Sequence, residues 1–146
     1  LEAYEKRVFV KPGVKDFLEA LKEEGIPCGI ATSNSRVLAE TVLKAQGIAP
    51  YFQSLRTACE VAAGKPAPDI YLKVAEDLGV SPERCVAFED VPAGIRAARA
   101  AGMKVYAVED AFSAQAAKEK ARLADGCIRN YQDLLKKEGA VWALRW

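Results

Sequence analysis

The 146 residues carry 21 basic and 20 acidic side chains, for a net charge of +1, and no histidine. A balance this even leaves no electrostatic footprint for nucleic acid or an anionic membrane, and the missing histidine excludes every mechanism that builds its nucleophile from a Ser–His or Cys–His pair. With 51% apolar and 28% charged residues, and no apolar run of about 18 residues, the composition fits one globular domain with a full core and no membrane-spanning helix.

Taken in chain order, residues 1–10 read as the end of a helix or an extended entry, and Pro12 and Gly13 punctuate. Val14, Phe17, Leu18 and Leu21 then recur at three- and four-residue spacing, the period of one helix face, and Gly25 stops that helix. Residues 26–31 form a short apolar run of the buried-strand type, leading into the polar cluster Thr32-Ser33-Asn34-Ser35. A second helix over residues 36–46 ends at Gly47, and a weaker strand lies near residues 52–56. Gly64-Lys65-Pro66-Ala67-Pro68 is too rich in proline for a helix or a central strand. The pattern then predicts a helix over 69–78 closed by Gly79, a strand over 84–88 ending at Glu89-Asp90, and a helix over 93–101 closed by Gly102. A strand over 104–108, a helix over 113–124, a strand over 127–129 and a last helix over 131–137 complete the chain. Helix and strand alternate with short connections. Such an order requires right-handed crossovers and a mainly parallel sheet covered on both faces, a three-layer α/β/α, Rossmann-like domain. Cys28, Cys59, Cys85 and Cys127 are scattered, with no Cys-x-x-Cys pair. They are expected to be buried free thiols of a reducing, cytoplasmic compartment.

Open α/β sheets bind ligands at the carboxyl ends of their strands, and three polar groups fall there. Thr32-Ser33-Asn34 offers a hydroxyl and backbone N–H groups just ahead of a helix, a setting that suits an anion. Taken alone, it suits an ordinary cap by Ser33 or Asn34 better. Lys65 stands between Gly64 and Pro66, where a restricted backbone could aim its ammonium at a phosphate, although most lysines are solvated surface groups. Glu89 and Asp90 are adjacent carboxylates at the point where strand burial ends, a donor pair of the kind Mg²⁺ takes alongside phosphate and water. Glu109-Asp110 follows Val105-Tyr106-Ala107-Val108 in the same manner, and spacing does not choose between the two pairs.

The segment from Ala63 through Gly64-Lys65-Pro66 to Tyr71, and that from Gly79 through Phe88-Glu89-Asp90 to Ala98, resemble motifs III and IV of the haloacid dehalogenase superfamily. They are nearest in appearance to its β-phosphoglucomutases and sugar-phosphate phosphatases. The stretch from Gly29 to Ser35 is similar to motif II, and Pro12-Gly13-Val14 resembles the start of the core after the cap domain. The resemblance runs from about residue 10 to 135. It implies a core domain over residues 11–146, with 1–10 as the end of the cap or its connector. It implies Mg²⁺-dependent phosphoryl transfer, by a hydrolase or mutase, on a small phosphorylated metabolite through an aspartyl-phosphate. Thr32 would hydrogen-bond the phosphoryl group beside Ser33 and Asn34, Lys65 would stabilise its charge, and Glu89 and Asp90 would hold the metal. Glu109-Asp110 matches no motif and reads as a surface turn.

One part is missing. The family opens on a strand ending in Asp-x-Asp, whose first aspartate attacks phosphorus. None of Asp16, Asp69, Asp77, Asp90, Asp110, Asp125 and Asp133 stands in such a pair. The expectation is a longer protein whose first strand and cap lie outside these residues. The alternatives are a non-catalytic, phosphate-binding relative, and a strand lent by another chain. Because that strand is normally central, its neighbours here are expected to have unpaired edges.

Overall fold

The computed structural model describes residues 13–109, 116–138 and 141–144. Helix α1, Val14–Glu23, starts at Gly13 and buries Phe17, Leu18 and Leu21, with Asp16 in its first turn and Lys22 in its last, the favoured ends for each charge. Strand β1, Gly29–Thr32, begins later than residue 26. Ile26 instead closes α1 by donating its N–H to the Leu21 carbonyl at 2.9 Å, and Pro27 has no N–H to give a sheet. Helix α2, Arg36–Ala45, is capped by Ser35, whose hydroxyl accepts from the Leu38 N–H at 3.2 Å. Strand β2 is Ser54–Thr57. Helix α3, Asp69–Leu78, follows Pro68 and ends on Gly79 in the left-handed region, as predicted to the residue. After it come β3, Val86–Glu89, helix α4, Pro92–Ala100, with proline at its first position, and β4, Lys104–Val108. Helix α5, Ala117–Leu123, and β5, Gly126–Ile128, close the α/β part. The sequence expectations for residues 1–10, for Asp110 and for 113–115 lie outside the described residues.

The domain is α/β with parallel sheet pieces between helical layers. β2 pairs with β1, and β3, β4 and β5 pair in that order, all parallel. Period-two alternation sends β4 to both faces: Val105 and Ala107 join Ile70, Tyr71, Ile95 and Ala98 under α3 and α4, while Val108 joins Phe17, Leu21, Ile128 and Leu134 under α1. Ile95 and Val105 are 0% exposed, each contributing about 1.5–3 kcal/mol from burial. Among the described residues β1 and β3 each have a single strand neighbour, and no pairing joins them. Ala31 of β1 and Ala87 of β3 pack on the same cluster, so the two pieces share one helical layer with an unpaired edge on each. Unpaired edges are expected on these strands, and among the described residues each has one.

Two expectations are corrected. Residues 131–137 are not a helix: Tyr131–Leu134 makes one 3₁₀ turn capped by Asn130, and β6, Leu135–Glu138, pairs antiparallel with β7, Val141–Leu144. Leu134 and Leu135 are 4% and 2% exposed. Two adjacent core anchors suit a turn leaving into an extended strand, and pairing with β7 overrides a weak helix propensity. The thiols are free but not buried, since Cys28 and Cys85 are half-buried and Cys59 and Cys127 exposed. Cys59 sits on a 3₁₀ turn and Cys127 on β5, which has one strand neighbour among the described residues. No helix among the described residues is long and apolar enough to cross a membrane.

Candidate active site

At the carboxyl ends of β1 and β3 the predicted Lys65 and Glu89 come into direct contact. The Lys65 loop is fixed from below. Thr57 and Glu60 form a reciprocal capping box at the end of β2. The Arg36 guanidinium clamps Glu60, with Nε at 2.9 Å, and donates to the Leu55 carbonyl at 2.6 Å. Further on, Ala67 N–H donates to the Gly64 carbonyl at 3.0 Å and Ala63 N–H to Asp69 at 3.3 Å. The Lys65 side chain, 10% exposed, runs inward from this loop. Its Nζ donates to the Ala31 carbonyl of β1 at 3.1 Å and to Oε1 of Glu89 at the end of β3. One ammonium thus ties the two sheet pieces, and its third N–H has no partner among the described residues.

Glu89 is 7% exposed. Two donors meet at its Oε1, Lys65 Nζ and the Tyr71 hydroxyl of α3. The Lys65 Nζ also lies 5.3 Å above the centre of the Tyr71 ring. Burial, and then the Glu89 charge, push the Tyr71 phenol far up, so it stays a donor. Tyr131 is pushed up too, by burial and then by the charges of Asp90 and Glu89. Asp90 is half-buried one residue past β3. Oε2 of Glu89 has no hydrogen bond among the described residues and lies against Gly94 in the first turn of α4.

Thr32, the last residue of β1, is half-buried, and its Oγ1 accepts from the Asn34 N–H at 3.0 Å. Ser33 and Asn34 are exposed, and the helix cap falls one residue later, on Ser35. The Ser33 and Asn34 side chains are therefore not spent on capping. The rival acid Glu109 is exposed, its N–H donating to the Ile128 carbonyl at 2.9 Å.

Sequence reading missed Tyr71, Gly94 and the Arg36–Glu60 clamp. Gly94 gave a usable signal, because a glycine inside a helical pattern costs about 1 kcal/mol against alanine and wants a reason. Tyr71 at a buried helical position reads only as core, and nothing local marks Glu60 as the partner of a residue 24 positions away.

Strands that end in polar groups beneath a shared helical layer, with a buried lysine–carboxylate pair at their junction, define a Rossmann-like α/β domain. The haloacid dehalogenase-like hydrolase family model matches residues 1–102, and the chain belongs to that family. Among curated relatives, a phosphorylated carbohydrates phosphatase of Thermotoga maritima is 39% identical over 109 residues, covering 70% of this chain and 50% of that protein. Among solved structures, CbbY from Rhodobacter sphaeroides in complex with phosphate superposes with a TM-score of 0.81 at 30% identity, covering 90% of this chain and 60% of that one. A β-phosphoglucomutase from Clostridium difficile gives 0.75 at 27% identity, covering 90% and 56%. The chain spans about half the length of the curated relatives it matches.

Proposed function

We propose that the protein containing this chain is a Mg²⁺-dependent phosphatase or phosphomutase of small phosphorylated metabolites, sugar phosphates above all. It works through an aspartyl-phosphate formed on a carboxylate outside these residues. Lys65 carries the reading: a nearly buried ammonium at the ends of two strands, with one N–H left over. At about 4 Å from a phosphoryl oxygen such a charge contributes roughly 4 kcal/mol at an effective dielectric of 20. Thr32 and the backbone N–H groups of Ser33 and Asn34 would hydrogen-bond the other phosphoryl oxygens. The unpaired edges of β1 and β3 favour a further strand between them as the bearer of the nucleophile.

The donor set fits Mg²⁺, which usually takes one or two carboxylates and completes its shell with phosphate and water. Glu89 through its unbonded Oε2, and Asp90, would hold the ion, and it would supply charge neutralisation on the transferring group. The relatives support the substrate class, one being a phosphatase of phosphorylated carbohydrates and another a structure with phosphate bound.

The test is hydrolysis of an aryl phosphate with Mg²⁺ by the full-length protein. Lys65→Ala should lower kcat about a hundredfold and change KM far less, because the lysine acts on charge that shifts in the transition state. A variant with unchanged kcat and only a raised KM would reject the role. The 146 residues alone should give no turnover.

A further inference from the structure

Gly94 is the third residue of α4, in its first turn, and within a helix glycine is the least favourable residue after proline. It is not among the glycines with positive φ, so no backbone conformation calls for it. An ideal Cβ built there would stand 2.1 Å from Cδ and Oε2 of Glu89 and 2.5 Å from Oε1, and these are its three nearest atoms. The nearest atoms to the space a side chain would fill all belong to one carboxylate. On the carboxylate's other flank, Lys65 and the Tyr71 hydroxyl hold Oε1.

We propose that Gly94 is a positioning residue for phosphoryl transfer: its bare Cα is the seat of the Glu89 carboxylate, and through Glu89 it aims Lys65. The role in the reaction rests on the phosphoryl-transfer reading above; the seat itself does not. With Oε1 carrying both donors and the group pressed onto α4, Glu89 cannot swing about its last torsion, which is otherwise broad. Lys65 is then held between Ala31 and Glu89 with one N–H directed elsewhere. A methyl at position 94 meets the free end of a flexible side chain, not backbone. Alanine there should evict the carboxylate while α4 stays, because Ile95, Ala97 and Ala98, each 0% exposed, anchor the helix.

The experiment uses the full-length protein and p-nitrophenyl phosphate with Mg²⁺. Gly94→Ala should fold and lose about tenfold or more in kcat, with KM within about threefold, the scale of effect seen when a group supporting a site residue is disturbed. Glu89→Asp draws the carboxylate back by one methylene. It should be slow by itself, yet added to Gly94→Ala it should recover kcat about threefold, a non-additivity expected only of residues in contact. Thermal unfolding without metal reads the seat independently of turnover. Lys65→Met should lower Tm in the wild type and by about half as much or less in Gly94→Ala, where its partner has already been displaced. Gly94→Ala with kcat within about twofold of wild type, or equal Tm losses in both backgrounds, would overturn the proposal. A wild-type protein without phosphatase turnover, but with the Tm coupling intact, would reject the reaction and keep the seat.

Discussion

The two pieces of the sheet are built from the same strand–helix unit yet settle to different depths. β4 has a strand on either side, and its Val105, Ala107 and Val108 are at most 2% exposed. β1 has one neighbour among the described residues, and all four of its residues, Gly29, Ile30, Ala31 and Thr32, are half-buried. Helices pack on both regions, and the lateral neighbour that β4 has in addition contributes to the difference. A parallel strand covered on both faces is buried more evenly when it is flanked on both edges as well. The apolar run of β1 therefore matches the environment of a completed sheet better than the one it has here.

Core truncation tests the contrast most strongly. Ile95→Ala under the three-stranded piece should cost about 2–5 kcal/mol in urea unfolding. Ile30→Ala on β1 should cost well under half of that, and more where a further strand covers the edge. Equal costs in the 146-residue chain would break the comparison. Hydrogen exchange gives a finer reading. Backbone amides of β1 should exchange faster than those of β4, and the gap should narrow in the full-length protein, because local opening follows cover and pairing. The smallest effect lies on the far side of β2. Asp77 of α3 accepts from Arg56 at 2.7 and 3.0 Å and from Ser54 at 2.8 Å. The Arg56 guanidinium, then the Ser54 hydroxyl, hold its carboxyl down from 3.8 to about 2. A depressed folded-state value means that the pair stabilises above the unfolded value and is lost as pH falls from about 4 towards 2. Asp77→Asn should flatten the Tm profile across that window and leave its shape at neutral pH unchanged.

What could be read in advance follows the range of the interactions involved. α3 was legible to the residue because its signals are local: Pro68 before it, Asp69 in the first turn, Gly79 after it. β4 was equally clear, an apolar run between Gly102 and Glu109. The candidate site was legible as a set of polar groups after strands, and Lys65 and Glu89 do meet. Which oxygen each donor takes, and why residue 94 has no side chain, depend on α3, β3 and α4 converging, and no single segment encodes that. The β6–β7 pair failed for the same reason, since the partner strand lies outside the segment, which by itself looks helical.

Gly29, at the start of β1, faces the other end of the sheet from Lys65, yet it sets how near α3 can lie. A Cβ there would come within 2.4 Å of Val74 Cγ1, and Val74 is one helical turn on from Tyr71, on the same buried side of α3. Any side chain at position 29 therefore acts as a wedge under a lever. It lifts the middle of α3, and the arm that moves bears the hydroxyl gripping Glu89. Mutational sensitivity of the reaction should reach down to the amino end of β1, with substrate contacts nowhere near the change.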